Sequence, residues 1–296
     1  MSAILAAWQQ KLSAYLALTR LNRPIGIFLL LWPTYWALWV AGKGAPSLFL
    51  MGIFTLGVIV MRSAGCAIND YADRHVDGHV ARTQNRPLAT GALRPREAIA
   101  AFFVLLLVAL VLVLQLNRMT IALSLVAVVL AATYPLGKRF HHLPQVQLGL
   151  AFGWSIPMAF AAQAGSLPPE AWLLFAANMA WTVAYDTLYA IADRPYDEQI
   201  GVKSTAILFG RYDLLAVGFL YVLTLGLLAA LGIWLNLGLA YAGGLVLAAL
   251  AAIWILAGAR SRTLNDSVQA FKRNNVFGAL VMIALVLGYA FDSGGH

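Results

Sequence analysis

The chain alternates between long apolar runs and short polar connections. A helix needs about 20 mostly apolar residues to cross a bilayer, and nine runs of about that length can be read along the sequence. Their approximate bounds are 24–41, 47–68, 97–116, 119–136, 145–164, 169–192, 213–234, 238–258 and 275–291. The pattern predicts an all-α, polytopic integral membrane bundle of about nine transmembrane helices, with residues 1–296 forming a single membrane-embedded domain.

Composition excludes the other broad classes of protein. Of the 296 residues, 61% are hydrophobic and only 11% are Asp, Glu, Lys or Arg, against about 25% charged residues in a typical soluble domain. A soluble protein of this size could not solvate its surface with so few charges, and a disordered one would contain far less apolar material. The single cysteine excludes an intramolecular disulfide framework and a zinc site built on several cysteines.

The basic residues predict the orientation in the membrane. Seventeen of the 20 Lys and Arg fall in the N-terminal segment or in the alternate connections after runs two, four, six and eight. These are Lys11, Arg20, Arg23, Arg74, Arg82, Arg86, Arg94, Arg96, Lys138, Arg139, Arg194, Lys203, Arg211, Arg260, Arg262, Lys272 and Arg273. Under the positive-inside rule this side is cytoplasmic, and the C-terminus lies outside. The net charge of +8 therefore needs no nucleic-acid partner.

The acidic residues are scarce and concentrated. Seven of the 12 lie in two places, one after the second apolar run and one at the end of the sixth. Both places carry the pattern Ala-Asp-Arg-x-x-Asp, starting at Ala72 and at Ala192, which suggests a weak internal repeat. A cytoplasmic loop with Asp and Arg is usually a solvated surface, but two matching clusters in so acid-poor a chain favour a functional site.

The spacing within each cluster indicates a metal site. Residues four apart share a helix face, so Asn69, Asp73 and Asp77 would form one polar stripe if the helix continued past the membrane, with Asp70 at its edge. Asp186, Asp193 and Asp197 would form a second row, in which we expect Pro195 to distort the last turn. Carboxylates on one face repel each other unless a cation neutralises them.

The chemistry of these clusters suits a diphosphate. Magnesium is usually held by one or two carboxylates and by substrate phosphate oxygens, so two clusters could hold two ions around one diphosphate. Arginine binds phosphate through a two-pronged fork and lysine acts as a point charge. The basic residues near the clusters are Arg74, Arg82, Arg86, Lys138, Arg139, Arg194 and Lys203. The pattern predicts a lipid-linked diphosphate bound at the cytoplasmic mouth of an apolar bundle.

These motifs resemble those of a known family. Asn69-Asp70-x-x-Asp73-x-x-x-Asp77 is similar to the first aspartate-rich motif of the UbiA superfamily of intramembrane prenyltransferases, and Asp193-x-x-x-Asp197 is similar to the second. Other stretches resemble the bacterial 4-hydroxybenzoate polyprenyltransferases of ubiquinone synthesis. Among them are Arg23-Pro24-Ile25-Gly26, Asn85-Arg86-Pro87-Leu88, Tyr134-Pro135-Leu136-Gly137-Lys138-Arg139 and Gly201-Val202-Lys203-Ser204-Thr205-Ala206. The resemblance covers nearly the whole chain.

The resemblance implies a fold and an activity. It implies a nine-helix bundle in the bacterial inner membrane, with an active site that opens to the cytoplasm. The implied reaction is the transfer of a polyprenyl chain from its diphosphate to the ring carbon beside the hydroxyl of 4-hydroxybenzoate, with Mg²⁺ as cofactor. The implied partners are polyprenyl diphosphate, 4-hydroxybenzoate and the lipid bilayer.

The candidate site residues follow from the motifs and the resemblance together. The metal ligands are Asn69, Asp70, Asp73, Asp77, Asp193 and Asp197, and the catalytic group comprises Asp73, Asp77, Asp193, Asp197 and Arg139. The diphosphate ligands are Arg74, Arg86, Lys138, Lys203 and Asn69. Two alternatives stay open: Asp193 as general base or phenol-orienting group, and Arg139 as partner of the acceptor carboxylate.

Three other interpretations of the sequence compete with this one. Membrane CDP-alcohol phosphotransferases share Asp77-Gly78-x-x-Ala81-Arg82, but this chain has Arg74, Pro95 and Ile99 where their pattern needs acids. A transporter would place ionisable groups near the bilayer midplane, whereas here the acids gather at one membrane face. Prenyl transfer to another aromatic acceptor stays open.

Overall fold

The computed structural model describes residues 2–75, 77–79, 83–134, 137 and 141–291, and within them it contains only helices and turns. The longer helical segments among these residues are twelve α-helices. They are α1 (Ser2–Leu18), α2 (Ile25–Ala41), α3 (Leu48–Asp73), α4 (Pro95–Val113), α5 (Arg118–Thr133), α6 (Pro144–Gly153), α7 (Ser155–Ala164), α8 (Pro169–Ile200), α9 (Thr205–Phe209), α10 (Asp213–Trp234), α11 (Leu239–Gly258) and α12 (Leu264–Phe291). Short 3₁₀ helices span Asp77–His79 and Gly210–Tyr212.

Local sequence explains where several helices begin and end. At the start of α4 the backbone N–H of Arg94 donates to Glu97 Oε2 at 2.7 Å, and Pro95 occupies the first helical position. Asn117 caps α5 by accepting the Thr120 N–H at 2.9 Å. Gly201, with φ of 72°, ends α8 in the left-handed conformation that glycine adopts without penalty.

Where the structure describes them, the nine predicted apolar runs all fall on helical structure. Five helices are long and apolar enough to cross a membrane by length and composition, namely α3, α4, the stretch Thr205–Trp234, α11 and α12. The exact number of membrane crossings stays a prediction. The chain is an all-α integral membrane protein, as its hydrophobic pattern predicts.

The run predicted at 145–164 is two helices rather than one. The chain breaks at Trp154, between α6 and α7. Pro157 has no N–H to donate to the carbonyl of Gly153, and its ring crowds that carbonyl, so a continuous helix is disfavoured there. The indole of Trp154 donates to the Leu123 carbonyl of α5 at 2.9 Å and packs edge-on to Phe175 of α8. The break is thus fixed by two neighbouring helices.

Two helices extend well beyond their predicted apolar runs. α8 continues to Ile200 rather than stopping near 192, and α12 begins at Leu264 rather than near 275. Both extensions are rich in polar residues, which lower hydropathy without preventing helix formation. A further helix, α1, lies in the segment that carried no apolar run long enough to span.

The chain divides into two compact units. The first comprises residues 1–27 and 55–115, and the second comprises residues 28–54 and 116–296. The core of the first unit contains Leu18 of α1, Ala67 of α3 and Leu93 and Ala98 around the start of α4, all fully or almost fully buried. The small alanines let α1, α3 and α4 approach closely. The single domain expected from the sequence stays a prediction.

The second unit is organised around a buried asparagine. Asn274 of α12 accepts hydrogen bonds from the indole of Trp181 at 2.9 Å and from the hydroxyl of Tyr221 at 2.7 Å. Its amide nitrogen donates to the Ala270 carbonyl at 3.0 Å. One polar side chain therefore joins α8, α10 and α12, and Phe277 packs against both aromatic rings. Buried polar groups of this kind specify a unique packing when fully satisfied.

Close packing between α11 and α12 depends on Gly244. A Cβ built on Gly244 would lie 2.7 Å from the Cα of Ala284 and closer still to its Cβ. A Cβ on the adjacent Gly243 would meet no atom within 4 Å. The two neighbouring glycines therefore differ in what they contribute to the fold.

We expect Gly244→Ala to destabilise the protein by about 1–3 kcal/mol, because the backbone of α12 would have to shift. Gly243→Ala is the matched control and should be neutral or slightly stabilising, since alanine is the better helix former. Thermal unfolding of both purified variants in detergent measures the difference. Equal melting temperatures would show that the contact with Ala284 is unimportant.

Candidate active site

The first acidic motif lies where α3 ends. Asn69, Asp70 and Asp73 occupy its last two turns, and Asp77 lies in the following 3₁₀ helix. The predicted continuous stripe from Asn69 through Asp73 to Asp77 is therefore wrong beyond Asp73. The sequence spacing was that of one helix face, but the chain turns at residues 74 and 75.

Arg74 explains part of this ending. Its Nη1 donates to the Tyr71 carbonyl at 2.7 Å, and its guanidinium lies 4.2 Å from the centre of the Tyr71 ring. A cation near the last carbonyls of a helix satisfies them and interacts favourably with the helix dipole. Arg74 was predicted to bind diphosphate, and in this structure its contacts are with its own helix.

Two arginines neutralise the carboxylates of the first motif. Arg20 Nη2 donates to both carboxylate oxygens of Asp70, at 2.9 and 3.2 Å. Arg86 Nη1 lies 3.1 Å from Asp70 Oδ1 and also donates to the two oxygens of Asp77, at 3.0 and 2.8 Å. Arg86 thus bridges two motif carboxylates that lie seven residues apart in the chain.

Burial makes this bridge energetically important. Asp70 is 1% exposed and the Arg86 side chain 14%. Burial raises the pKa of the Asp77 carboxyl, the charge of Asp73 adds to that effect, and the neighbouring Arg86 opposes it. Charges removed from water need partners, so the arginines are what allow adjacent acids to stay buried together.

The second acidic motif has a different local structure. Asp186, Asp193 and Asp197 all lie on α8, as the sequence predicted, and the helix continues through Pro195 to Ile200. Asp193 and Asp197 are therefore one helical turn apart on one face, and each is half-buried. Pro195, expected to distort the last turn, is accommodated inside the helix, although it cannot donate to the Ile191 carbonyl.

An ion-pair network lies beside the second motif. The carboxylate of Asp213, at the first residue of α10, accepts hydrogen bonds from Arg194 Nη2 and from Arg262. Arg262 Nη2 lies 2.8 Å from Asp213 Oδ1, and the same nitrogen donates to the Arg211 carbonyl at 3.2 Å. Asp213 is fully buried, so both arginines compensate a charge that has no access to water.

The other predicted residues lie in several environments. Asn69 is half-buried on α3, and Lys203 is half-buried in the turn before α9. Lys138 and Arg139 lie outside the residues that the structure describes. The structure thus brings Asp70 and Asp77 of the first motif together with Arg86, and it places Asp193 near Asp197 in the second motif.

The carboxylates of the two motifs are suitable ligands for a hard divalent cation, but in the described residues they do not form a complete coordination shell by themselves. In the described part of the chain, no three His, Cys, Asp or Glu side chains are arranged to hold a metal ion. Mg²⁺ keeps several water or phosphate ligands and commonly takes only one or two carboxylates. The buried Asp73 and Asp77 and the paired Asp193 and Asp197 fit that requirement, with the remaining ligands left to substrate oxygens.

Three charged residues of this region were missed by the sequence analysis as site partners. Arg20 is 50 positions from Asp70 in the chain, and Arg262 is 49 from Asp213. Such distances leave no local spacing signal. Asp213 could have been found from the sequence, because it is one of only 12 acidic residues and stands at the first position of an apolar run.

Comparison with known proteins gives a consistent result. A model of the UbiA prenyltransferase family matches residues 30–290. Curated proteins named 4-hydroxybenzoate octaprenyltransferase are similar over nearly the whole chain. One from Xanthomonas euvesicatoria pv. vesicatoria (strain 85-10) is 53% identical over 283 residues, covering 96% of this chain and 94% of its own length. One from Azotobacter vinelandii (strain DJ / ATCC BAA-1303) is 54% identical over 275 residues, covering 93% of each.

Solved structures share the fold. A UbiA homolog from Aeropyrum pernix K1, in its apo form, superposes with a TM-score of 0.77 at 27% identity, covering 88% of this chain and 96% of that one. A UbiA homolog from Archaeoglobus fulgidus, bound to GPP and Mg²⁺, gives a TM-score of 0.74 at 19% identity, covering 94% and 98%. The second likeness establishes the fold alone.

We expect Arg86→Met to destabilise the protein by about 3 kcal/mol, because it leaves buried carboxylates without their shared partner. Arg96→Met is the matched control, since Arg96 is an exposed arginine on α4 and its loss should change stability by less than about 0.5 kcal/mol. Thermal unfolding in detergent measures both. A melting temperature of Arg86→Met equal to that of the control would contradict the bridging role.

Proposed function

The chain belongs to the UbiA prenyltransferase family, and from that premise we propose that it is a 4-hydroxybenzoate polyprenyltransferase. It transfers a polyprenyl chain from polyprenyl diphosphate to the ring carbon ortho to the hydroxyl of 4-hydroxybenzoate. The reaction depends on Mg²⁺ and belongs to ubiquinone synthesis. The observation that carries the proposal is the identity of 53% or more, across more than nine-tenths of the chain, to proteins named 4-hydroxybenzoate octaprenyltransferase.

The two acidic motifs support this assignment independently. They supply hard oxygen ligands, Asp73 and Asp77 at and just after the end of α3, and Asp193 and Asp197 on α8. The likeness to a UbiA homolog bound to GPP and Mg²⁺ supports a diphosphate and a divalent cation as ligands. A membrane transporter would not need these metal and diphosphate ligands, and the chain belongs to a family of transferases.

The proposed mechanism assigns the charged residues to the departure of the leaving group. Asp73, Asp77, Asp193 and Asp197 would hold Mg²⁺, with Asn69 and Asp70 in support. When bound, the ion supplies Lewis-acid stabilisation of the charge that develops on the diphosphate oxygens. Of the basic residues predicted to contact the same oxygens, Arg74, Arg86 and Lys203 lie in the described part of the chain, and Arg74 donates there to the Tyr71 carbonyl of its own helix.

The organic step transfers the prenyl group as an electrophile. The bond between the prenyl C1 and the diphosphate oxygen breaks, and the oxygen keeps the electron pair. The electron-rich ring carbon beside the phenol then forms the new carbon–carbon bond, and a base takes the proton from that carbon, which restores the aromatic ring. Arg139 pairs with the acceptor carboxylate in this proposal. An apolar, intramembrane site excludes the water that would otherwise capture the allylic cation.

The direct test is product formation. Membranes containing the protein, incubated with labelled 4-hydroxybenzoate, a polyprenyl diphosphate and Mg²⁺, should form a lipid-soluble labelled product. Chelation of the divalent cation should abolish that product, because the leaving group would lose its charge compensation. Absence of product from folded protein would refute the proposed activity.

Replacement of motif carboxylates tests the paired site. We expect Asp73→Ala and Asp193→Ala each to lower the rate of prenyl transfer about 100-fold or more, since each removes a proposed metal ligand. Glu198→Gln is the matched control, because Glu198 is an exposed acid on the same turn of α8 and has no proposed role. Full activity in both alanine variants would rule out the paired-motif mechanism.

The proposed location is the bacterial inner membrane, with the N-terminus and the acidic motifs on the cytoplasmic side. The positive-inside rule predicts that a periplasmic reporter enzyme fused after Phe291 is active. The same reporter fused after Gly91 should be inactive, because that connection carries five arginines and faces the cytoplasm. The reverse pattern would show that the orientation is opposite.

A further inference from the structure

The ion-pair network at Asp213 is placed to act on the second acidic motif. Arg194 stands between the two proposed metal ligands in the chain, directly after Asp193 and three residues before Asp197. Its Nη2 donates to Asp213 of α10. The motif is therefore attached, through its own arginine, to a carboxylate on another helix.

The contact between Arg194 and Asp213 lies next to Pro195, where α8 lacks a backbone hydrogen bond. Pro195 follows Arg194 and removes the hydrogen bond that a residue at that position would donate to the Ile191 carbonyl. This missing bond lies in the stretch between Asp193 and Asp197. A helix interrupted in this way can bend at the proline, which would change the relative positions of the two carboxylates. A contact from Arg194 to another helix restrains that bend.

Asp213 is itself held firmly. It is 0% exposed, whereas the side chains of Arg194 and Arg262 are 20% and 39% exposed. Arg262 donates to Oδ1 through Nη2 at 2.8 Å and to Oδ2 through Nε at 3.2 Å, a two-pronged geometry of the kind that orients a carboxylate. The backbone N–H of Leu214 donates to the same carboxylate at 2.6 Å. The orientation of the Asp213 carboxylate is thus fixed by contacts that do not involve Arg194.

The backbone of Arg262 supports this interpretation. Arg262 has φ of 54°, in the left-handed region that non-glycine residues rarely adopt. Such a conformation persists only where the surroundings determine it. The bonds from its side chain to Asp213 and to the Arg211 carbonyl are such determinants.

The matching arginine of the first motif behaves differently. Arg74 holds the same position in the Ala-Asp-Arg-x-x-Asp pattern, but it donates to the Tyr71 carbonyl of its own helix. The first motif ends its helix at Asp73, so no helical turn between Asp73 and Asp77 needs support. The contact to Asp213 is therefore specific to the motif that stays helical across a proline.

We propose that Asp213 is a positioning residue for the diphosphate site: held by Arg262, it fixes Arg194 and so keeps Asp193 and Asp197 one helical turn apart. The inference rests on the proposed function, which makes these two aspartates ligands of the Mg²⁺–diphosphate group. Asp213 itself does not touch the substrate. Its effect should appear in binding of the diphosphate rather than in recognition of the aromatic acceptor.

The test compares Asp213→Asn with Asp266→Asn in the full-length protein. Asp266 accepts hydrogen bonds from Ser261 and Thr263, in the same region as Arg262, and has no proposed role. We expect Asp213→Asn to raise the KM for polyprenyl diphosphate about tenfold or more, the usual size of an outer-shell effect on metal binding. The KM for 4-hydroxybenzoate should not change, and the control should match the unmodified protein.

A second measurement does not depend on turnover. Mn²⁺ binding in the presence of inorganic diphosphate, followed by electron paramagnetic resonance, should weaken about tenfold in Asp213→Asn and stay unchanged in Asp266→Asn. If the unmodified protein binds Mn²⁺ with diphosphate but makes no prenylated product, the proposed function fails while the positioning role is still tested. Unchanged Mn²⁺ binding in Asp213→Asn would overturn the positioning role.

A purely structural role gives a different result. If Asp213 only stabilised the fold, its variant would show a lower kcat from fewer active molecules, with both KM values unchanged. That outcome would also overturn the proposal. If Asp213→Asn does not fold, because two arginines are left facing each other, the double variant Asp213→Asn with Arg262→Gln replaces it and carries the same expected results.

Discussion

The compensation of buried carboxylates by arginine is the interaction on which the rest of the site depends. A carboxylate taken out of water without a partner is unstable enough to be protonated or to disrupt the fold. The chain meets this constraint twice. Arg20 and Arg86 surround Asp70 and Asp77 in one unit, and Arg194 and Arg262 surround Asp213 in the other. Acidic residues can thus be concentrated in an otherwise apolar protein.

This constraint also divides the acids into two kinds. Asp70 and Asp213 are buried almost completely, and the carboxylate of each contacts two arginines. Asp193 and Asp197 are only half-buried, so their carboxylates are more accessible to a ligand than those of Asp70 and Asp213. Asp77 combines both properties, because it is buried and shares Arg86 with Asp70. The two motifs look alike in sequence and differ in how their charges are supported.

The sequence predicted most of the fold because apolar runs of this length are a strong signal. It failed at boundaries where a helix leaves its apolar stretch, as at the end of α8 and the start of α12, since polar residues there still favour helix. The four-residue spacing was a reliable guide for Asp193 and Asp197 and a misleading one for Asp73 and Asp77. Local spacing carries no information on the turn after Asp73, and none on partners about 50 residues apart.

The resemblance to the UbiA superfamily, drawn from short motifs, is confirmed by a family match over residues 30–290. What the motifs could not provide was how rigidly the other helices of the fold are held. The break at Trp154 illustrates this, because its indole is anchored to the Leu123 carbonyl and its ring to Phe175. Because Trp154, the residue at the bend, is held by two neighbouring helices, the angle between α6 and α7 is fixed. We therefore expect any motion of this unit that accompanies catalysis to move α6 and α7 together, with the angle between them kept.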